Sequence, residues 1–461
     1  MSEILTPKVL ILGGGPGGYV AAIRCGQLGL DTVLVEAGRL GGTCLIRGCI
    51  PSKAIIHVAG QYEEMTKAAS APVHGVSLAS APRIDLAETV RWKDGIVDRL
   101  NQGVAGLLAR AKVKVISGWG TFSDAKTCEV RTEDGLVTIR PEHVILATGS
   151  SPINLPALGP GDKVISSTEA LCLSSVPESL VIVGAGYIGL ELGGAFAKLG
   201  SKVTVVEMAD RILPSYDAKL VAPVQKAMEA LGVTFLFNSE AVEENAKGLM
   251  VKPDGGRKRT LPADKILVTV GRRPNTQDWG LENIAIKTNG RFVDIDDQCA
   301  TSSRNVWAIG DLVGEPMLEH KAATQGEMVA EIIAGRRRRF DFGAIPAVCF
   351  TDPEIVTVGA GPEEPDTIHG VFPFFANGRA LTMAAGEEQG FVRVIASKAS
   401  HRILGVQAVG SHVSELSVVF THAIEMGAVL EDVAGIIHAH PTLGEAFHEA
   451  ALKALGHAIH I

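Results

Sequence analysis

Two stretches of the chain share one arrangement of apolar and polar positions. Lys8 to Glu36 reads KVLILGGGPGGYVAAIRCGQLGLDTVLVE, and Ser179 to Glu207 reads SLVIVGAGYIGLELGGAFAKLGSKVTVVE. Each is an apolar run, a glycine turn, a helical stretch, and a second apolar run that ends in glutamate. Unbroken apolar runs suit strands covered on both faces of a parallel sheet, so each stretch is predicted to be a βαβ unit. Shifted by 171 positions, Gly13, Gly15, Gly18, Leu28, Gly29, Val33, Val35 and Glu36 fall on Gly184, Gly186, Gly189, Leu199, Gly200, Thr204, Val206 and Glu207.

Between the copies, Ala59 to Leu108 has helical spacing, with Val90, Ile96, Val97, Leu100, Val104 and Leu107 roughly three and four apart. Val113 to Gly120, Glu129 to Arg140 and His143 to Leu146 are predicted strands, the last leading into Ala147-Thr148-Gly149. Pro152, Pro156 and Pro160 mark a connection, and the second unit then runs to about Gly271. Asn305 to Ile309, ahead of Gly310-Asp311, is a further buried strand. After Ile345 the texture changes to shorter strands, such as Phe391 to Ala396 and Ile403 to Val409, followed by helices over Val413–Met426 and Glu445–Gly456. The fold class is α/β, with two Rossmann-like dinucleotide-binding domains and a C-terminal α+β domain. The expected boundaries are 1–150, 151–278, 279–345 and 346–461.

Composition narrows the function. Of 461 residues, 46 % are hydrophobic and 52 are glycine, with no G-X-Y period, which excludes collagen and disorder. A net charge of −8 argues against an unspecific polyanion binder. The run Arg336 to Arg339 follows an expected helix end at Gly335 and lacks aromatics, so it is read as a solvated helix end or loop rather than a nucleic-acid contact. Seven cysteines do not make a disulfide scaffold in a chain of this length. Cys25, Cys128, Cys172, Cys299 and Cys349 are expected to be small buried hydrophobes. Met1 to Lys8 has no basic n-region, and no apolar stretch reaches the roughly 20 residues of a membrane helix. A protein of a reducing, cytoplasmic compartment is the expectation.

Each repeat carries G-x-G-x-x-G. The first glycine permits the tight turn, the second lets a pyrophosphate approach the helix N-terminus, and the third lets helix and strand pack closely. Glu36 and Glu207 each stand 23 residues past the first glycine, where an acid binds a ribose hydroxyl and would repel a 2′-phosphate. The expected ligands are an adenine dinucleotide such as FAD, and NAD rather than NADP.

Gly41 to Lys53 reads GGTCLIRGCIPSK. Five positions along a regular helix separate Cα atoms by roughly 8.6 Å, and a disulfide tolerates up to about 6.8 Å. Cys44 and Cys49 could therefore bond only if the helix opens or tightens locally, for which Gly48 and Pro51 offer the means. Two free thiols, or half a metal site with His57, are the alternatives. Lys53, one turn past Cys49, would favour a thiolate or a reduced flavin; otherwise it is a helix-surface lysine.

With the repeat, the GGTC–GC–PSK segment, Ala147-Thr148-Gly149, Gly271-Arg272 and Gly310-Asp311, the chain resembles the pyridine nucleotide–disulfide oxidoreductases over essentially its whole length. The ending His438 to Glu445, HAHPTLGE, narrows the resemblance to the dihydrolipoamide dehydrogenases, and the closing GHAIHI points to the form serving branched-chain 2-oxoacid dehydrogenase complexes. The resemblance implies FAD on Gly13, Gly15, Pro16, Gly17, Gly18 and Glu36, on Gly42, Thr43, Cys44 and Lys53, on Gly120, and on Ala147, Thr148, Gly149, Asp311 and Glu319. It implies NAD on Gly184, Gly186, Ile188, Gly189, Glu207, Val242 and Gly271, with Tyr187 covering the flavin until nicotinamide displaces it. Lys53 would pair with Glu191. Cys44 would be the thiol that exchanges with substrate, and Cys49 its disulfide partner nearest the flavin. His440 would be the general base, oriented by Glu445 and supplied by the other subunit of a homodimer, and its bond to Pro441 would be cis. The partner would be a lipoylated acyltransferase, since no lipoyl-like domain fits before Lys8.

The competing readings are plain. Thr442 and Glu445 match a capping box, His438 and His440 could hold a metal, and Tyr187 could simply pack on its helix. The chain departs from the resemblance at Ile46, where asparagine is usual, at Arg47, usually apolar, and at Glu319, usually alanine. Arg47 either snorkels to solvent or, pointing inward, favours a thiolate at Cys49. Glutathione reductase is opposed by Glu207, and mercuric reductase by the lack of a C-terminal cysteine pair. Another disulfide reductase, or a non-catalytic flavin-binding assembly component, stands as the alternative function.

Overall fold

The computed structural model describes residues 3–159, 163–385 and 390–461, so Met1, Ser2 and Pro160 lie outside the described residues. The two repeats build two parallel five-stranded sheets of matching order. The first runs Val306–Ala308, His143–Leu146, Val9–Leu12, Thr32–Glu36, Lys114–Ser117. The second runs Val164–Ile165, Lys265–Val268, Ser179–Val183, Lys202–Val206, Thr234–Leu236. In both, the first apolar run of the repeat is the central strand, and Val9, Ile11, Ile182 and Val205 are fully buried. An antiparallel meander flanks each sheet, over Trp119–Asp124, Thr127–Thr132 and Gly135–Ile139 in the first, and over Ser239–Asn245, Gly248–Pro253 and Arg259–Pro262 in the second.

The glycine turns work as their spacing requires. Gly13 has φ +105°, and a Cβ there would lie 2.3 Å from the Ala147 carbonyl oxygen. On Gly18 a Cβ would lie 1.8 Å from the Gly13 oxygen, so helix Pro16–Gln27 can sit on its strand only without a side chain at that point. The same helix meets Glu319–Ile333 backbone to backbone, a Cβ on Gly326 falling 2.3 Å from the Gly17 oxygen. At the far end Arg24, Arg336 and Arg338 all pair with Glu331, a side chain only 3 % exposed. Two members of the arginine run are thus tied to a buried carboxylate rather than freely solvated, and Arg339 pairs with Asp297.

Several predicted elements are divided in the structure. Ala59 to Leu108 is two helices, Cys49–Ser70 and Leu86–Arg110, separated by a segment containing Pro72, Gly75 and Pro82. Asp85 caps the second by accepting the Glu88 N–H at 3.0 Å. That helix has two apolar stripes, and the core takes the one through Leu86, Val97, Val104 and Leu108, leaving Leu100 and Leu107 exposed. Glu129 to Arg140 is a hairpin that turns at Glu133-Asp134, where two acidic residues end the apolar alternation. Val113 to Gly120 divides at Gly118 between two sheets. Val413–Leu416 is a 3₁₀ turn ahead of helix Ser417–Glu425, and the last helix is Glu445–Ala454.

The C-terminal segment forms an antiparallel sheet in the order Ala347–Cys349, Glu354–Gly359, Ile403–Gly410, Phe391–Ser397, Thr367–Pro373. Its core gathers Val356, Val394, Val406, Phe420, Phe447 and Ala450. Helix Cys49–Ser70 packs on helix Tyr187–Lys198 through Ile55 and Ala59, and Cys349 of the C-terminal sheet joins that cluster. Both glycine-turn units and the third sheet therefore converge on the helix that carries Cys49.

Candidate active site around Cys44 and Cys49

Between the two cysteines the helix breaks. Helix Gly42–Arg47 stops at Gly48 (φ −141°, ψ −112°) and helix Cys49–Ser70 begins at the next residue. A Cβ on Gly48 would lie 2.8 Å from the Thr43 carbonyl oxygen, so a larger residue would push the two helices apart. Across the break Cys44 and Cys49 stand as two free thiols, each close enough to shift the other's titration. The neighbouring Cys49 sulfur, with burial, pushes Cys44 well above the ordinary thiol range. The Cys44 thiol and the charge of Lys53 hold Cys49, an exposed residue, below it. One thiol is disposed to keep its proton and the other to lose it.

Lys53 is an ion-pair partner rather than a surface lysine. Its Nζ lies 2.8 Å from Glu191 Oε2 on helix Tyr187–Lys198 and 4.4 Å from the Phe350 ring centroid. Glu191, 5 % exposed, accepts the Phe350 N–H at 2.9 Å with its other oxygen. The pair thus joins one residue from each of three structural units.

A cavity of about 1050 Å³ runs from the first glycine turn to this pair, at the upper end for a small-molecule site. Gly13, Gly15, Pro16, Gly17, Glu36, Gly42, Thr43, Cys44, Lys53, Gly120, Ala147, Thr148, Gly149, Asp311 and Glu319 all line it. Gly18 does not; it is buried against Gly13. Glu36 is pinned by the N–H groups of Gly14 (2.6 Å) and Gly38 (2.7 Å), and Glu207 identically by Ala185 (2.6 Å) and Ala209 (2.8 Å). A Cβ at Gly42 would come within 2.6 Å of the Gly15 Cα, so two bare backbones face each other where a pyrophosphate would pass. These residues fit an adenine dinucleotide that extends to the cysteines, as FAD does.

From the second repeat, Ser179 to Glu207, the helix residues Tyr187, Ile188, Glu191 and Leu192 reach this cavity, alongside Ser167, Thr168 and Leu171 from the segment before it. Tyr187, 39 % exposed, opens its helix and lines the cavity instead of packing away. Gly184, Gly186, Gly189 and Glu207 form the second turn outside it, with Gly184 at φ +101° and Gly189 pressed on the Gly184 oxygen. Gly271, at φ +119°, lies beside Ile153, and Val242 sits at a bulge in strand Ser239–Asn245; neither lines the cavity.

Four residues escape the sequence reading. Arg272 Nε donates to Ser150 Oγ at 2.7 Å, and its Nη2 to the Ser150 oxygen at 2.6 Å and to Thr43 Oγ1 at 3.2 Å. Ser150 Oγ donates in turn to Asp311. Asn275 clasps Thr148 in both directions, at 2.8 and 2.9 Å. Phe350 completes the set. Arg272 and Asn275 stand in one GRRPN string that extends past the Gly271-Arg272 pair, whereas nothing local marks Ser150 or Phe350. Arg47 is exposed and lines the cavity near Arg272.

The second predicted centre lies elsewhere on the surface. His440 Nδ1 is 3.0 Å from Glu445 Oε1, its bond to Pro441 is cis, and its ring is 79 % exposed and outside the cavity. Glu445 accepts the Thr442 N–H at 2.8 Å, which lowers its pKa against the effect of burial. Only this half of the capping box forms, because a turn at Gly444 starts the helix and the Thr442 hydroxyl donates to the Ala439 oxygen instead. His438 stacks on His448 at 4.6 Å and bonds the Val433 oxygen at 3.1 Å, and among the described residues no group of three or more His, Cys, Asp or Glu is placed to hold a metal. Cys25, Cys128, Cys299 and Cys349 are buried, but Cys172 is exposed, since it follows a one-turn helix at the surface. Among the described residues no helix is long and apolar enough to cross a membrane.

Comparison with known proteins places this geometry in context. The profile described as pyridine nucleotide-disulphide oxidoreductase matches residues 7–326, and that of the dimerisation domain of the same family matches residues 345–451, which supports a homodimer. The chain is 56 % identical to dihydrolipoyl dehydrogenase of Pseudomonas aeruginosa over the whole of both chains. It is 44 % identical to dihydrolipoyl dehydrogenase of Geobacillus stearothermophilus, over 98 % of this chain and 97 % of that one. Among solved structures, LpdA of Mycobacterium tuberculosis superposes with a TM-score of 0.87 at 26 % identity, covering 97 % of this chain and 99 % of the other. The HOCl-induced flavoprotein disulfide reductase RclA of Escherichia coli gives 0.85 at 25 %, covering 96 % and 99 %. FAD and NAD are the cofactors of this group. The chain belongs to the pyridine nucleotide-disulphide oxidoreductase family, as an NAD-dependent flavoprotein oxidoreductase.

Proposed function

We propose that the chain is a dihydrolipoyl dehydrogenase, oxidising protein-bound dihydrolipoamide to lipoamide. The observation that carries this reading is the helix break at Gly48 that sets Cys44 and Cys49 in the wall of the cavity beside the Lys53–Glu191 ion pair. His440, supplied by the second subunit, takes a proton from one substrate thiol. The resulting thiolate attacks Cys44 of the Cys44–Cys49 disulfide, an S–S bond forms to substrate, and Cys49 leaves as the thiolate. The second substrate thiol closes the ring and releases Cys44; His440 passes its first proton to the leaving Cys44 sulfur and takes up the proton of the second thiol, which it later gives to solvent. Two electrons have then moved from substrate to the enzyme pair, with the charge on Cys49 facing Lys53. When bound, FAD supplies a two-electron acceptor beside Cys49 and NAD⁺ the final hydride acceptor.

The same reading divides the chain at 1–150, 151–278, 279–345 and 346–461. The third segment completes the FAD site, which the place of strand Val306–Ala308 in the first sheet supports. It assigns FAD and NAD contacts to the residues expected above, gives the enzyme a lipoylated acyltransferase as partner, and locates it in the cytoplasm, where free thiols persist. Anaerobic reduction of the holoenzyme by dihydrolipoamide tests it. A long-wavelength thiolate–flavin band at two electrons, and NADH production that neither glutathione nor dithiols other than dihydrolipoamide match, are expected; absence of both overturns the reading. Capture of the lipoylated partner from native cells identifies the complex, a branched-chain 2-oxoacid dehydrogenase being the one expected.

A further inference from the structure

Phe350 has no assigned part in the chemistry above, yet it touches both members of the Lys53–Glu191 pair. Its backbone N–H donates to Glu191 Oε1 at 2.9 Å, while Glu191 Oε2 holds Lys53 Nζ at 2.8 Å. Its ring lies under the same ammonium, 4.4 Å from Nζ to the centroid. The residue is itself firmly placed. It begins the connection 350–353 between strands Ala347–Cys349 and Glu354–Gly359, where the buried Thr351 donates its hydroxyl to the Pro353 oxygen at 2.7 Å. Two residues on, Asp352 pairs with Lys198, which stands two turns past Glu191 on helix Tyr187–Lys198. Lys198 also reaches Glu63 of helix Cys49–Ser70 at 3.0 Å. The connection is thus stapled across both helices at two points, and Cys349 beside it is fully buried.

We propose that Phe350 is a positioning residue for the redox centre, its ring face and its N–H together fixing the direction in which Lys53 presents its charge. A lysine ammonium is a point charge on a flexible four-carbon stem, and one carboxylate alone lets it swing about that contact. Lys53 has room to do so, since its side chain is 33 % exposed and lines the cavity. The negative face of an aromatic ring supplies a second direction of attraction, and it does so without net charge. A second carboxylate in its place would tether the ammonium as well, but would add an anion one helical turn from Cys49, where a thiolate has to form. The bond to Glu191 serves the same end, because a carboxylate held at both oxygens cannot rotate away with its lysine.

This inference rests on Cys44 and Cys49 being the redox pair beside the flavin, and the test separates the two. Phenylalanine analogues with one, three and five ring fluorines are placed at position 350 of the holoenzyme. They nearly keep the shape of the ring while stripping the negative charge from its face in steps. Each enzyme is reduced by two electrons with dithionite, and its thiolate–flavin absorbance is read at one pH near the wild-type midpoint. The band is expected to weaken in step with fluorination, the ratio of thiolate to thiol falling about twofold to fivefold at five fluorines. Phe350→Leu, which fills similar space without a π face, should fall with the five-fluorine enzyme, and Phe350→Tyr, which keeps the face, should stay near wild type. Because fluorination leaves the packing as it was, a band unchanged across the series overturns the role of the ring. Absence of the band in the wild type overturns the reading of the redox pair instead.

Discussion

Lys53 Nζ stands 2.8 Å from Glu191 Oε2, and this contact adds to the apolar packing that joins the helix of Cys49 to the helix of the second glycine turn. The cation is in place to stabilise a thiolate at Cys49, and the buried carboxylate keeps it there. Cys49 is held below the ordinary thiol range, so its thiolate persists as pH falls and is lost only below that lowered midpoint. Lys53→Met should raise the midpoint of the thiolate–flavin band by roughly one pH unit, about a tenfold loss of thiolate at a given pH below it. Glu191→Gln should act in the same direction, by loosening the lysine. Absorbance titration of the two-electron-reduced enzyme measures both.

A second expectation concerns His440, whose exposed ring is outside the cavity that holds Cys44 in the same chain. His440→Gln should cut dihydrolipoamide oxidation by about 10²- to 10⁴-fold, the usual weight of a general base. Reduction of the flavin by NADH, which does not involve this proton, should continue. Dimers mixed from Cys44→Ser and His440→Gln chains contain one intact site each if the site is shared. Unfolding and refolding the two variants together should then restore about a quarter of wild-type turnover.

Glu207 accepts two backbone N–H groups of its own turn, so in the proposed NAD site it would hold the loop as well as offer an acceptor to the ribose. Glu207→Gln should raise the KM for NAD⁺ about tenfold or more, because each amide oxygen and nitrogen now meets an N–H donor and one clashes in polarity. It should not create an NADP⁺ enzyme, since no cation is introduced. Steady-state kinetics with both nucleotides decide this.

Glu331 gathers Arg24, Arg336 and Arg338 at the foot of the two helices that frame the first glycine turn. Glu331→Gln leaves three guanidinium groups facing a neutral amide in a buried spot. Thermal unfolding should shift down by roughly several degrees, with turnover per bound flavin close to wild type.

The repeat made most of the nucleotide chemistry readable. Gly13, Gly18 and Glu36 have counterparts at fixed spacing, and the structure reproduces the pairing of Glu36 at Glu207 bond for bond. The GGTC–GC segment disclosed the cysteines because the break at Gly48 is a local matter of backbone room. Less visible were contacts between distant parts of the chain. Phe350 reaches Glu191 across 159 positions and Ser150 reaches Asp311 across 161, and no short pattern records either pairing. Helix Leu86–Arg110 shows the other limit: two apolar stripes fit the same period, and which one meets the core depends on neighbours elsewhere in the sequence.

The place of strand Val306–Ala308 in the first sheet sets an order of assembly. A chain emerging from the ribosome completes the second sheet with Lys265–Val268, while the first still lacks its edge strand and the helix beginning at Glu319. The nucleotide site that begins the sequence is therefore the later of the two to close. By sequence order alone, every strand of the second sheet is available before the first sheet gains its edge strand, about two-thirds of the way along the chain.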